Sequence, residues 1–143
     1  MKLHIVTIGK PKLAYAQSGW SEYYDRLQRL HTIRTTHLAD KYATDIAKIH
    51  DTTHGTFVVA LEIAGKDLDS QTLADFLRVR ELESREVSFV IGGPDGLPQA
   101  IRDSADFHWS LSRLTLPHDL AMVVTLEALY RASTIHAGLP YHR

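Results

Sequence analysis

Short apolar runs rich in β-branched residues alternate along the chain with longer segments of helical spacing. The apolar runs predict five strands, at residues 2–8, 32–38, 56–63, 86–91 and 107–111. The segments between them predict helices at residues 15–30, 45–50, 70–82, 98–104 and 119–136. Because strands and helices alternate, the pattern predicts one α/β domain over residues 1–143, with a mostly parallel sheet and helices on both faces.

Serine, glycine and proline residues mark the predicted ends of several elements. Ser18 or Ser21 is a possible cap of the first helix, and Ser70 is the predicted cap of the third. The dipeptide at 65–66, Gly-Lys, ends the third strand in this interpretation. Gly138 is the residue type that commonly follows a helix, and it closes the last one.

Composition then narrows the class of protein. The chain has no cysteine, which excludes disulfides and thiolate metal sites. It has neither a signal peptide nor an apolar run long enough to span a membrane, so we expect a soluble cytoplasmic protein. The net charge is −1, whereas a free-standing RNA-binding protein usually carries a basic excess. Composition alone therefore argues against RNA as a partner.

A glycine-rich turn, Gly-Gly-Pro-Asp-Gly, follows the fourth predicted strand at 92–96. Gly92 and Gly93 would let the backbone approach a ligand at the carboxyl end of a strand, where α/β proteins bind their ligands. The same residues also suit an ordinary strand-to-helix turn. Their spacing matches neither the dinucleotide fingerprint nor a phosphate-binding loop. Taken alone, the segment leaves both interpretations open.

Two further segments are unusual. Residues 109–118 are apolar without a clear period, and their backbone amides need partners, which either a packed core or a ligand such as an adenine supplies. The chain ends Tyr-His-Arg at 141–143, which combines an aromatic ring, an imidazole and a guanidinium. A frayed and silent terminus is the alternative for this tail. His50 and His54 lack the glutamate of the zinc-protease motif, and we expect no metal.

Together these segments resemble a known family. The order strand, GGPDG, short helix, LSRLTLPH, long helix with LEALYRA, and PYHR at the end is similar to the ribosomal RNA large-subunit methyltransferase H family. That family is part of the SPOUT superfamily. The resemblance covers essentially the whole chain and is thinnest between Leu38 and Gly55. Asp95 stands where many relatives have glutamate.

The resemblance implies a C-terminal trefoil knot that holds S-adenosylmethionine, the methyl donor, in a bent conformation. It also implies a homodimer, with the substrate base near the donor at the subunit junction and the helix after His118 as part of that junction. The residues that it implies for donor binding are Leu61, Gly92, Gly93, Leu111, Ser112, Arg113, Leu114, Thr115 and Leu116.

The reaction implied by the resemblance is methyl transfer to N3 of a pseudouridine in 23S rRNA, on assembled ribosomes. Tyr141, His142 and Arg143 match the family's C-terminal set, and we expect catalytic roles for all three. His142 would take or relay the N3 proton, as a group that titrates near neutrality can. Arg143 would stabilise charge on a carbonyl oxygen, and Tyr141 would stack on or orient the base.

Three alternatives remain open at this point. One is an enzyme of the same fold that modifies a transfer RNA base. Another is a ribosome-associated protein that keeps the donor pocket but does no chemistry. The third is a small nucleotide-binding α/β module. Within the methyltransferase interpretation, the near-neutral charge favours recognition of a shaped ribosomal target over attraction by bulk charge.

Overall fold

The computed structural model describes the whole chain, residues 1–143. Its strands are β1 (Lys2–Ile8), β2 (Thr32–Leu38), β3 (Phe57–Asp67), β4 (Val87–Ile91) and β5 (Phe107–Ser110). Its helices are α1 (Ala14–Gln28), α2 (Ile46–Thr52), α3 (Ser70–Leu82), α4 (Gln99–Ser104) and α5 (His118–Ala137), with one turn of 3-10 helix at Asp40–Tyr42. Every predicted strand and helix is present, in the predicted order.

The five strands form one parallel sheet in the order β2-β1-β4-β3-β5. The central strands β1 and β4 are apolar along most of their length because both faces of the sheet are covered. This confirms the predicted α/β class with a parallel sheet. The trefoil knot stays a prediction.

The apolar side chains of the sheet form two separate clusters, one on each face. Leu3 and Ile5 pack with α1, α3 and α5, whereas Val6 and Ile8 pack with α2 and α4. Side chains of a strand alternate between faces, and each face therefore has its own helical layer. None of the helices combines the length and apolarity that crossing a membrane requires.

The predicted caps of two helices are wrong. α1 begins at Ala14, and Ser18 and Ser21 lie inside it. No side chain caps α1 locally; instead Asp119 of α5 accepts hydrogen bonds from the amides of residues 12 and 13, at 2.8 and 2.6 Å. In α3, Ser70 is the first helical residue, and Asp69 is the cap, accepting from the Thr72 amide at 2.8 Å.

The third strand is longer than predicted. It continues through Gly65 and Lys66 to Asp67, with a register shift against β5 between Leu61 and Lys66. A Cβ atom at Gly65 would lie 2.7 Å from the backbone carbon of Trp109. The glycine therefore permits the close approach of β3 to β5 and does not end the strand.

Candidate functional site

A cleft of about 510 Å³ opens at the carboxyl ends of β3 and β4. Its walls are the end of β3, the turn at 92–97, the loop at 111–116 and the first turn of α5. This is the sheet edge at which α/β proteins bind ligands, and the volume suits a small molecule. Eight of the nine residues predicted to bind the donor line it: Leu61, Gly92, Gly93, Leu111, Ser112, Leu114, Thr115 and Leu116.

Arg113 is the predicted donor-binding residue that does not line the cleft. Its side chain is 90% exposed, and Nε lies 3.5 Å from Oδ2 of Asp67 at the end of β3. An ion pair this exposed contributes little stability. The Arg113 side chain therefore points away from the cleft, toward Asp67.

The glycine segment forms a tight strand-to-helix turn, and its residues also line the cleft. A Cβ atom at Gly92 would lie 2.6 Å from the backbone carbon of Gly96, so the turn itself requires this glycine. Gly96 has a φ of +78° and donates its amide to the Gly93 carbonyl at 2.9 Å. Gly93 has room for a Cβ atom, whose nearest neighbour would be Ile8 at 3.5 Å. The tight turn thus brings bare backbone to the cleft.

The apolar loop after β5 is not buried under the core. Leu114 is 73% exposed. From Ser112 to Leu116 no amide donates to a backbone carbonyl, and the Leu114 amide instead donates to Ser112 Oγ at 2.9 Å. The loop therefore borders the cleft with backbone amides that do not bond to other backbone groups.

The first turn of α5 closes the cleft on one side. His118 lines it, and its Nε2 atom donates to the carbonyl oxygen of Ile8 at 2.7 Å. This bond ties the start of α5 to the end of β1. Sequence reasoning missed His118 as a lining residue, although its position directly after the apolar loop was a usable signal.

Two charged residues of the cleft were also missed. Glu62 follows Leu61 in β3, just beyond the part of the strand that pairs with β4, and Arg102 lies on α4. The position of Glu62 directly after the predicted residue Leu61 was a usable signal. No sequence signal points to Arg102, because which side of so short a helix faces a cleft depends on tertiary packing.

The C-terminal tail is folded back along α5. Gly138 adopts a left-handed conformation with a φ of 70°, which turns the chain after the helix. Tyr141 then packs edge-on against Tyr130 at 4.7 Å, and its hydroxyl donates to Glu127 Oε1 at 3.1 Å. Burial, together with hydrogen bonds to Tyr23 and Glu127, raises the pKa of Tyr141. The tail is ordered against the helix.

His142 and Arg143 follow on the outside of the same helix. Arg131 Nη1 lies 3.3 Å from His142 Nδ1. Since a guanidinium only donates, this hydrogen bond requires the lone pair on Nδ1 and the ring proton on Nε2. Arg131 is in turn paired with Glu127 at 2.7 Å. Arg143 is exposed.

The structure does not bring the tail and the cleft together within one chain. None of residues 139–143 lines the cleft. Glu127, which holds the tail, lies nine residues after His118, about 14 Å farther along the helix axis. The cleft and the tail are thus two separate halves of the predicted site.

Comparison with known proteins gives a match over the whole chain. The family model described as "Predicted SPOUT methyltransferase" matches residues 1–142. A protein of Deinococcus radiodurans named "Ribosomal RNA large subunit methyltransferase H" is 46% identical over 145 residues, covering 100% of this chain and 99% of its own length. A protein of Deinococcus deserti with the same name is 45% identical, with 100% of both chains covered.

A solved structure supports the fold. A probable methylase family protein from Haemophilus influenzae superimposes with a TM-score of 0.64 at 12% sequence identity, covering 95% of this chain and 68% of the other. At that identity the similarity concerns the fold alone.

Proposed function

Because this chain belongs to the SPOUT methyltransferase family, whose model spans residues 1–142, we propose that it methylates N3 of a pseudouridine in 23S rRNA on assembled ribosomes. The observation that carries the proposal is the cleft at the carboxyl ends of β3 and β4, lined by eight of the nine residues predicted from the resemblance. The names of the two Deinococcus relatives support large-subunit rRNA as the substrate class. We take residues 1–143 as one domain.

S-adenosylmethionine is the methyl donor, and when bound it supplies a methyl group activated by a positively charged sulfur. The residues of the cleft fit it. Apolar side chains such as Leu61 and Leu116 line the walls, and the unpaired amides of the loop after β5 can recognise the polar edges of an adenine. The bare backbone of Gly92 and Gly93 forms the opposite side.

The enzyme acts as a homodimer in this proposal. A tail docked beside Glu127 cannot reach the cleft of its own chain, which lies about 14 Å back along α5. A second copy brings a tail to that cleft. Leu13 and Tyr15, at the start of α1, are 55% and 51% exposed although both are large and largely apolar. Such side chains suit a subunit interface near the start of α5.

Three tail residues act on the base. N3 of pseudouridine carries an imide proton, and the nitrogen attacks the methyl carbon once that proton is lost. His142 takes or relays the proton through Nδ1, the nitrogen that carries the lone pair, when the contact with Arg131 opens. Arg143 stabilises the negative charge on a carbonyl oxygen, and Tyr141 orients the ring. The N3–H bond breaks first, with the proton passing to His142, and the sulfur–methyl bond would then break as the N3–methyl bond forms.

The net charge of −1 fits a ribosomal target. A protein without excess positive charge gains little from phosphate neutralisation and must recognise a shaped surface. An assembled subunit presents such a surface, whereas free RNA does not hold it rigidly. Action on ribosomes places the protein in the cytoplasm.

The proposal is tested by transfer of a labelled methyl group to ribosomes that lack the modification. Free 23S rRNA and transfer RNA are assayed in parallel. We expect label on a pseudouridine in assembled ribosomes only. Label on transfer RNA alone would keep the donor site and overturn the substrate, and the absence of label from every RNA would overturn the proposed activity.

A further inference from the structure

The charged side chains of the cleft are few. Among the lining residues Arg102 is the only lysine or arginine, and Glu62 and Asp95 are the only carboxylates. The remaining walls are apolar side chains, small residues, backbone and the His118 imidazole, whose Nε2 bonds to the Ile8 carbonyl oxygen. A ligand with both an apolar heterocycle and a charged end would therefore place its charged end beside Arg102 and Glu62.

Arg102 and Glu62 belong to a polar group that also includes His108 of β5. Glu62 Oε1 lies 2.6 Å from His108 Nδ1, and Glu62 Oε2 lies 3.8 Å from Arg102 Nε. The side chain of Glu62 is only 15% exposed. Arg102 Nε and His108 Nδ1 are enclosed, yet neither has a well-aligned hydrogen-bond partner. Enclosed polar atoms without partners are uncommon in folded proteins and call for an explanation.

Most of the donor capacity of Arg102 is free. A guanidinium has five N–H donors. Its one aligned hydrogen bond runs from Nη2 to Gln99 Oε1 at 2.6 Å, along α4 itself. The contact with Glu62, at 3.8 Å, is too long to be a hydrogen bond. Arg102 is thus held in place by Gln99 while other N–H groups can bind a ligand.

The space around this group extends beyond the cleft. A second cavity of about 540 Å³ lies beside α4 and β5 and shares Glu62, Ala64 and Arg102 with the first. Its other walls are mostly polar, including Lys66 and Asp106. Arg102 therefore stands where an apolar cleft passes into a polar one, which is where the charged end of a bound molecule would emerge.

We propose that Arg102 binds the α-carboxylate of the donor's amino-acid end and that Glu62 faces its α-ammonium group. This inference rests on the proposed function, since it takes S-adenosylmethionine as the ligand of the cleft. A guanidinium can engage a carboxylate through two parallel N–H bonds, and bonds between charged groups are the stronger kind. A zwitterion also needs charges of both signs, and this corner of the cleft supplies them.

Two neutral ligands that differ only at the amino-acid end test the assignment. S-adenosylhomocysteine keeps that end, whereas 5′-methylthioadenosine lacks it. Calorimetric titration of the full-length protein should show that Arg102→Gln weakens binding of S-adenosylhomocysteine by roughly tenfold or more, the loss typical of a hydrogen bond between charged groups. Binding of 5′-methylthioadenosine should stay unchanged, which also shows that the variant is folded.

Arg78→Gln is the matched control, because Arg78 is an exposed arginine on α3 away from the cleft. It should bind both ligands as the wild type does. Arg102→Lys keeps the charge without the planar fork and should retain part of the preference for S-adenosylhomocysteine.

Equal weakening of both ligands by Arg102→Gln, or no weakening of either, would overturn the assignment while leaving the donor cleft in place. A wild-type protein that binds neither ligand would overturn the proposed function itself, together with this inference. The two failures are therefore distinguishable in one series of titrations.

Discussion

A buried histidine at the centre of the sheet shows how single residues shape this protein. His4 of β1 is fully buried, and its Nε2 atom lies 2.8 Å from Thr36 Oγ1 on β2. On its other side Nδ1 lies 3.4 Å from Ser88 Oγ, which contacts Thr56 Oγ1 at 2.7 Å. Burial and, secondarily, the nearby Arg34 guanidinium lower the pKa of His4 from 6.5 to about 4. The ring is therefore neutral above about pH 4 in the folded protein.

This shift predicts a dependence of stability on pH. The unfolded chain protonates His4 near 6.5 and the folded chain only near 4, so the unfolded state binds more protons between these values. The contribution of the neutral His4 ring to the free energy of unfolding is fully present above pH 6.5 and decreases as the pH falls toward 4. Urea unfolding gives the free energy of unfolding at pH 7.5 and at pH 5. From the higher to the lower pH, this free energy should fall by about 2 kcal/mol less in His4→Gln than in the wild type.

Part of the decline should remain in His4→Gln, because burial also lowers the pKa of His31 to about 4. His54→Gln serves as the control, since His54 is exposed. Its free energy of unfolding should depend on pH as that of the wild type does. A His4→Gln protein whose stability falls as steeply as that of the wild type would contradict the assignment.

The sequence located residues that line the cleft where several unusual local segments lie together at one edge of the sheet. The glycine turn and the apolar loop were each ambiguous, and only the resemblance joined them as the walls of one cleft. Arg113 was included because it lies within the loop, yet its side chain points outward to Asp67. Arg102 was missed because its place at the cleft depends on how α4 packs.

For strands and helices too, features with local causes were predicted from the sequence, whereas features with tertiary causes were not. β1 and β2 were predicted to the residue, because a short β-branched run ended by a turn is a local pattern. The cap of α1 was wrong because Asp119, more than a hundred residues away, accepts from the amides of residues 12 and 13 just before the helix. The extension of β3 was missed because it depends on pairing with β5.

The contact between α1 and α5 predicts how a substitution between these helices changes stability. A Cβ atom at Gly19 would lie 2.9 Å from Cγ1 of Val123, a stiff side chain with little room to move. Overpacking of this kind costs about 1–3 kcal/mol, more than the roughly 1 kcal/mol by which alanine favours a helix over glycine. Gly19→Ala should therefore lower the free energy of unfolding in urea.

Gly19→Ala should become stabilising when the Val123 side chain is shortened. In a Val123→Ala background, Gly19→Ala should raise the stability by up to about 1 kcal/mol, since only the helix preference remains. A double-mutant cycle measures this directly. An equal effect of Gly19→Ala in both backgrounds would show that the contact with Val123 does not determine the cost of the substitution.

At the scale of the whole molecule, the cleft and the C-terminal tail that together make up the predicted site lie in two separate places. The cleft lies at the carboxyl edge of the sheet, and the tail is bound near the middle of α5. The sequence resemblance implied both halves and a dimer, but not the distance between them, which depends on how Tyr141 packs against Tyr130. A homodimer in which the cleft of one subunit receives the tail of the other is the simplest arrangement that unites them.

Complementation between two inactive variants tests this central claim most directly. Thr115→Trp places a bulky ring in the loop that lines the cleft, and a chain ending at Gly138 lacks the tail. Each alone should fail to methylate ribosomes. Co-expressed in equal amounts, they should regain about a quarter of the wild-type activity, because half of the dimers are mixed and each mixed dimer holds one intact site. A mixture as inactive as its components would show that cleft and tail act within one chain and would contradict the account.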